Sequence, residues 1–319
     1  MASYNQCSSQ EVEFILTGFN GLHGIQVWFS IPFIIMLLVS LLGNITVLFI
    51  IVTERSLHEP MYYFISILST VELFTGVMFL PQLLVVLWFG SQMLNIDSCV
   101  TQMFFIYFSI VMESSVLALM AYDRYTAVCR PLKYSSIITN SFILKGGLIV
   151  VGRSACIILP VPAIASSLPY HNKSFIDNVY CEYLAVLGAA CVDSILKDIY
   201  LYFAFTFSIL PDSIAIFLSY YMIISATLKL KTKVDRLKAF HTCSSHAFVI
   251  LSFYLSGALS LAIILSKNTL PAYLRTIFSI LHISIPPILN PVIYGIKNKE
   301  VLRLILMHLK KIRNIRFSK

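Results

Sequence analysis

The chain has 319 residues, 58% of them hydrophobic and only 12% charged. A water-soluble domain carries about a quarter of its residues as charge, so a dispersed globular protein is excluded and a bilayer protein implied. The net charge of +8 does not select nucleic acid, because the basic residues are sorted between alternate ends of apolar runs.

Residues 1–25 are polar and mildly acidic, with no basic stretch leading into an apolar one, so no cleavable signal peptide is expected. Seven apolar runs long enough to cross a bilayer follow, at roughly 26–52, 60–88, 98–123, 142–166, 198–228, 240–265 and 273–296. The first holds Asn44. The second opens with Pro60-Met61-Tyr62-Tyr63-Phe64 and carries Glu72 at depth. The third contains Glu113 and ends in Met120-Ala121-Tyr122-Asp123-Arg124-Tyr125-Thr126-Ala127-Val128-Cys129. The fourth encloses Arg153. The following loop carries the sequon Asn172-Lys173-Ser174, a glycosylation acceptor if it faces outward, then Cys181 and Cys191. The fifth contains Asp212 and Tyr220. The sixth begins Lys238-Ala239-Phe240-His241-Thr242-Cys243-Ser244-Ser245-His246, and the seventh ends Pro287-Ile288-Leu289-Asn290-Pro291-Val292-Ile293-Tyr294. Residues 297–319 form a basic tail. Within it Val301, Leu304, Ile305, His308 and Leu309 share a helical face, as in a short helix lying on an anionic inner leaflet.

Of the 23 basic residues, 18 lie in the tail and in the loops on its side, four lie opposite, and Arg153 lies inside a span. The positive-inside rule then puts the tail in the cytoplasm and the N-terminus outside. The expected fold is all-α, a seven-helix membrane domain at 26–296 with a short amphipathic cytoplasmic helix. Glu72 and Glu113 are costly in lipid, at roughly 2.5–3.5 kcal/mol each if ionised and unpaired, so both should face the bundle interior. Arg153 is expected to meet a lipid headgroup or a helix neighbour. Asp212 has no role readable from sequence. A transporter would explain the intramembrane charges as a pathway, but no internal repeat is visible and only Asn290-Pro291 clearly breaks a helix. A hydrolase would need a Gly-x-Ser-x-Gly elbow or a His-Glu-x-x-His pair, and neither occurs.

The four motifs, in order and at the right ends of the right spans, resemble the olfactory receptors of the rhodopsin-like G-protein-coupled receptor family. The loop around Cys181 is similar to the class I, or fish-like, subgroup. The resemblance implies a plasma-membrane receptor that is not an enzyme, needs no cofactor, binds a small-molecule odorant, and engages a heterotrimeric stimulatory G protein and membrane lipid but no nucleic acid. It implies that Arg124 leaves its pair with Asp123 on activation, next to Tyr125, and meets the G protein. Tyr220 and Tyr294 would swing inward, and Asn290 and Pro291 would break the seventh helix, with Asn44 as their polar match. Glu72 stands where the family uses an aspartate for sodium, so Glu72 and Glu113 are expected to share a sodium ion or a proton. Cys99 is implied to pair with Cys181. The family's second loop bridge would end at Cys191, but His171 occupies the partner position, leaving Cys191 free or bonded to Cys7.

The family's ligand lies between the outer halves of four helices. Stepping outward from Arg124 by helical turns gives Val111, Ile110, Tyr107, Ile106 and Met103 on the third span. Phe205 and Ser208 on the fifth, and Ile280 and Ile283 on the seventh, are further candidates. The sixth supplies Tyr254, Gly257, Ala258, Leu261 and Leu265. The set is mostly apolar with a few hydroxyls, which suits a small, lightly polar organic molecule. The third-span stretch lacks the aspartate of amine receptors. Leu265 stands where some fatty-acid-sensing relatives carry arginine, leaving Lys267 as the nearest cationic substitute.

Overall fold

A computed structural model describes residues 7–8, 12–18, 26–266 and 271–317. Lys267 lies outside them, as does the side chain of Leu265. Seven of its helical segments are long and apolar enough to cross a membrane. The first three spans are single helices, α1 (Gln26–Thr53), α2 (Pro60–Phe89) and α3 (Ile96–Cys129). A short α4 (Tyr134–Ile137) precedes the fourth span, which is α5 (Asn140–Ile158) continued by α6 (Pro160–Ser167). After a loop containing α7 (Tyr183–Gly188), the fifth span is α8 (Ile195–Phe207) continued by α9 (Ile209–Leu228). The sixth lies within α10 (Lys233–Leu265). The seventh is α11 (Ala272–Val292) with the wider π-turn Ile293–Lys297, followed by α12 (Lys299–Phe317).

The helices start where the sequence supplies acceptors for the first free N–H groups. Asn95, Thr139, Ser194 and Thr232 cap α3, α5, α8 and α10 with their side chains. Several helices outrun the apolar runs that announce them. The sixth begins at Lys233 rather than near 240 because Thr232 caps a polar first turn, and α12 continues to Phe317, two turns past the Val301–Leu309 face. Hydropathy sees only the hydrocarbon depth, whereas a helix stops where its caps are.

The third span is the axis of the bundle and the most buried of the seven; the fifth and sixth are the least buried, to the same extent, and pack at the periphery. Proline breaks the fourth and fifth spans. In the fifth, Pro211 has no N–H to offer the Phe207 carbonyl one turn earlier, and the chain bends at Ser208. In the seventh, Pro291 frees the Pro287 carbonyl in the same way, and Asn44 of α1 donates its Nδ2 to it at 2.9 Å. This meeting requires a small residue at position 43. A Cβ on Gly43 would stand 2.9 Å from that of Pro291.

Opposite the Arg124 end, five short strands among the described residues roof the bundle, which the helical expectation did not include. β2 (Glu13–Leu16) lies between β3 (Gln92–Asn95) and β5 (Lys173–Ile176), antiparallel to the first and parallel to the second. β1 (Cys7–Ser8) pairs antiparallel with β4 (Tyr170–His171). Alternation in Glu13-Phe14-Ile15-Leu16 drives Phe14 and Leu16 inward to full burial. Phe14 meets the Tyr170 ring edge-on at 5.0 Å. The two side chains contribute about 1.5–3 kcal/mol each from burial, which offsets much of the cost of ordering the strand; hydrogen bonds to β3 and β5 on both sides add to it.

Candidate functional site

Polar clusters run down an otherwise apolar bundle. At the end of α3, Asp123 is fully buried and Arg124 partly so. The guanidinium donates to Asp123 Oδ2 through Nη2 at 2.6 Å and Nε at 2.9 Å, and the Tyr134 hydroxyl donates to Oδ1 at 2.8 Å. A buried carboxylate costs several kcal/mol unless it is paired and its remaining lone pairs are bonded; here both oxygens are taken. Burial, reinforced by Asp123, pushes the Tyr134 phenol above its ordinary range, so it stays a donor. Nearby, the Arg130 guanidinium lies 5.5 Å from the Tyr125 ring centre. Tyr220 of the fifth span and His246 of the sixth share a 2.9 Å hydrogen bond at Nδ1. His246 Nε2 and the Tyr294 hydroxyl are buried with no hydrogen-bond partner among the described residues.

Deeper in the bundle, Glu72 and Glu113 are both buried, as expected for intramembrane carboxyls. Asn290 Nδ2 donates to Glu72 Oε1. Glu72 Oε2, Glu113 Oε1, Asn290 Oδ1 and Asn44 Oδ1 are buried without a hydrogen-bond partner among the described residues. Two carboxyls and two amide oxygens left unsatisfied in one region fit a hard monovalent cation, which takes oxygen donors, or a shared proton.

At a similar depth, Arg153 crosses from the fourth span to the bend in the fifth. Its Nη1 bonds Asp212 Oδ1 at 2.8 Å and Ser115 Oγ at 2.7 Å, and its Nη2 takes the Phe207 and Ser208 carbonyls at 2.8 and 2.7 Å. The carbonyl that Pro211 stripped of its helical donor thus receives a charged one. Ser114 and Ser115 both donate to Asp212 Oδ2, and Ser114 also bonds the Tyr254 hydroxyl at 2.9 Å, which brings in the sixth span. Asp212, without a role in sequence, is therefore the centre of the network. Arg153 finds a helix neighbour rather than a headgroup. Two lone charges of opposite sign at comparable depth in successive spans were the available signal.

At the roofed end Cys99 is bonded to Cys181, and Gln102 Oε1 accepts the Cys181 N–H at 3.1 Å. Tyr107 donates to Glu182 Oε1 and accepts the Tyr183 N–H, both at 3.2 Å. Cys191 is bonded to Cys7, which settles the alternative the sequence leaves open.

A sequence model of olfactory receptors matches residues 33–311 of this bundle. The chain belongs to the olfactory receptor family. Olfactory receptors 51G2 and 51G1 of Homo sapiens are 38% and 39% identical to it over 299 and 310 residues. The matches cover 93% and 97% of this chain and 95% and 96% of those receptors. Squid rhodopsin superposes on 90% of this chain and 86% of its own with a TM-score of 0.69 at 15% identity, a likeness of fold alone. As an olfactory receptor the chain is a multi-pass membrane receptor, not an enzyme.

The residues expected to line this receptor's ligand cavity divide into groups. Met103, Ile106, Val111, Ser208, Ile280 and Ile283 are buried, and Tyr107, Ile110, Tyr254, Gly257 and Leu261 are half-buried. Phe205 and Ala258 are exposed, contrary to the interior position expected of them. The bend at Ser208 resets the helical phase that an unbroken count assumes on the fifth span. On the sixth, Gly257 is the residue turned to the seventh, where a Cβ would stand 3.0 Å from the His282 ring, so Ala258 is rotated outward. A cleft of about 690 Å³ lies between the fifth and sixth spans, lined by Ser213, Ile216, Tyr220, Ile250 and Tyr254 among others. Of the expected set it contains Tyr254 alone. Asn172 is exposed on the β4–β5 turn.

Proposed function

We propose that this olfactory receptor binds a small, weakly polar odorant among the roofed halves of the third, fifth, sixth and seventh spans and activates a stimulatory G protein, raising cyclic AMP. In this reading the roof is extracellular, with Asn172 glycosylated, and the Arg124 end and tail are cytoplasmic. α12 lies along the anionic inner leaflet. The orientation is supported by the segregation of basic residues.

The observation that carries the reading is the closed Asp123–Arg124–Tyr134 cluster at the end of the axial helix. It holds Arg124 back, and the unsatisfied Tyr294 hydroxyl and His246 Nε2 are buried polar groups that a rearranged bundle would satisfy. Ligand binding shifts the equilibrium only by its differential affinity for the two states. The peripheral sixth span, tied in through Tyr254 and Tyr220, is with the fifth the span whose displacement disturbs least buried surface. Glu72, Glu113, Asn290 and Asn44 would hold a sodium ion or proton in the resting form.

The test is cyclic AMP in cells co-expressing the receptor with an olfactory-type stimulatory G protein, across an odorant panel. A ligand-dependent rise abolished by Arg124→Ala is expected. Silence to a broad panel with the protein at the cell surface, or an undiminished response in Arg124→Ala, overturns it.

A further inference from the structure

Cys7, His171 and Cys191 meet at the rim of the roof, their Sγ and ring nitrogen atoms all within 4.8 Å of one another. The sulfurs are bonded to each other, and Cys7 Sγ lies 3.8 Å from His171 Nδ1. Backbone pairing, and not only the disulfide, gathers these three residues. Cys7 is paired with His171 in the β1–β4 ladder, and the Cys191 N–H donates to the Pro169 carbonyl at 2.9 Å. Opening the bridge therefore leaves two thiols and an imidazole facing one point.

That donor set is the one zinc prefers. Ligands at about 2.3 Å for sulfur and about 2.0–2.1 Å for nitrogen in a tetrahedron place S and N roughly 3.6 Å apart and two sulfurs roughly 3.8 Å apart. The His171–Cys7 separation of 3.8 Å is already near that value. A disulfide holds its sulfurs about 2.0 Å apart, so once it is opened they have only to separate by less than about 2 Å to reach that geometry, a change within reach of side-chain rotation on neighbouring backbones. His171 is exposed and the two cysteines partly so, leaving an approach for reductant and ion.

We propose that Cys7, Cys191 and His171 form a thiol-opened site for a zinc-class d¹⁰ cation, which takes over from the disulfide in tying the N-terminal segment to the loop before the fifth span. Two molecules of a low-molecular-weight thiol transfer two electrons and two protons to the bridge and leave as their own disulfide. Metal binding then expels the two cysteine thiol protons to water, giving a Cys₂His site with a water in the fourth position. Where such thiols would reach it depends on the orientation proposed above; the binding itself does not.

The test uses the full-length receptor in detergent micelles, with zinc as the probe. Wild type, oxidised or reduced by a phosphine that does not compete for metal, is equilibrated with zinc and desalted. Its zinc content and affinity are then measured. Reduced wild type is expected to retain one more zinc per chain than oxidised wild type. His171→Ala, which keeps the oxidised bridge and so folds as wild type, should lose more than about 100-fold in affinity when reduced, since even outer-shell changes cost about 10–100-fold. Cys7→Ser/Cys191→Ser should gain no zinc on reduction, which separates this site from the Cys99–Cys181 bridge that a phosphine can also open; Cys129, Cys156 and Cys243 are thiols in either state and drop out of the difference. Equal zinc in oxidised and reduced wild type, or reduced His171→Ala binding as tightly as wild type, overturns the proposal. Neither result bears on odorant signalling, so the two readings fail separately.

Discussion

Replacing Arg153 by methionine keeps much of the aliphatic stem and removes the charge that Asp212 and two carbonyls share. Asp212 is 6% exposed, so its carboxylate would be left buried with only the Ser114 and Ser115 hydroxyls. Removing one partner of a buried ion pair costs about 3–5 kcal/mol. Because the Arg153 side chain keeps 26% of its surface, the low end applies, about 3 kcal/mol. At about 2.1 cal/mol/K of unfolding entropy per residue, a loss of 1 kcal/mol in a chain this long lowers Tm by roughly 1.5 °C, so a fall of about 4–5 °C is expected. The assay is the loss of helical circular dichroism on heating in detergent micelles. Asp212→Asn alone should fall similarly, because it strands the guanidinium. The double variant Arg153→Met/Asp212→Asn should recover most of the loss, since a pair replaced together leaves no unpaired charge. If the double variant melts at the sum of the two single losses, the groups do not act as a pair and the network reading is wrong.

Asn44→Leu removes the donor to the carbonyl that Pro291 leaves open and is expected to cost about 1–3 kcal/mol, visible as a Tm a few degrees lower in the same melt. An unchanged Tm would mean that the Pro287 carbonyl is satisfied elsewhere. Glu113→Gln should abolish any difference in agonist potency between sodium and choline media; a persisting difference would place the ion site elsewhere. Asn172→Gln should remove the mobility shift that a glycosidase produces on the cell-expressed receptor, and a shift that survives would locate the sugar at another asparagine.

The spans, and the motif residues at their ends, were legible because a bilayer imposes one demand on composition over about 20 residues. Glu72 and Glu113 were placed inside for the same reason, and both are buried. What was not legible depended on contacts between distant segments. Glu13-Phe14-Ile15-Leu16 alternates, but four residues in a polar terminus carry no sign of their partners 76–82 and 160 positions away. His246 reads as one residue of a motif until the fold brings Tyr220 to its ring. The outward rotation of Phe205 was hidden by the bend at Ser208, whose cause, Pro211, is plain in the sequence but whose angular effect is not. Cys191 had no local partner, and pairing with Cys7 across 184 residues is a property of the roof.

The central position of β2 has a consequence for biosynthesis. Its second neighbour, β5, is translated 160 residues after it, which at roughly 5–20 residues per second is about 8–32 s on the ribosome. Throughout that interval Phe14 and Leu16 have left the ribosome without the surface that buries them. The residues translated first are thus among the last to dock. Maturation of the receptor ends at its N-terminus, after the helices on either side of β3 and β5 are in the bilayer, so that a stalled or misinserted fourth span leaves an apolar leading segment available to whatever folding factor waits there.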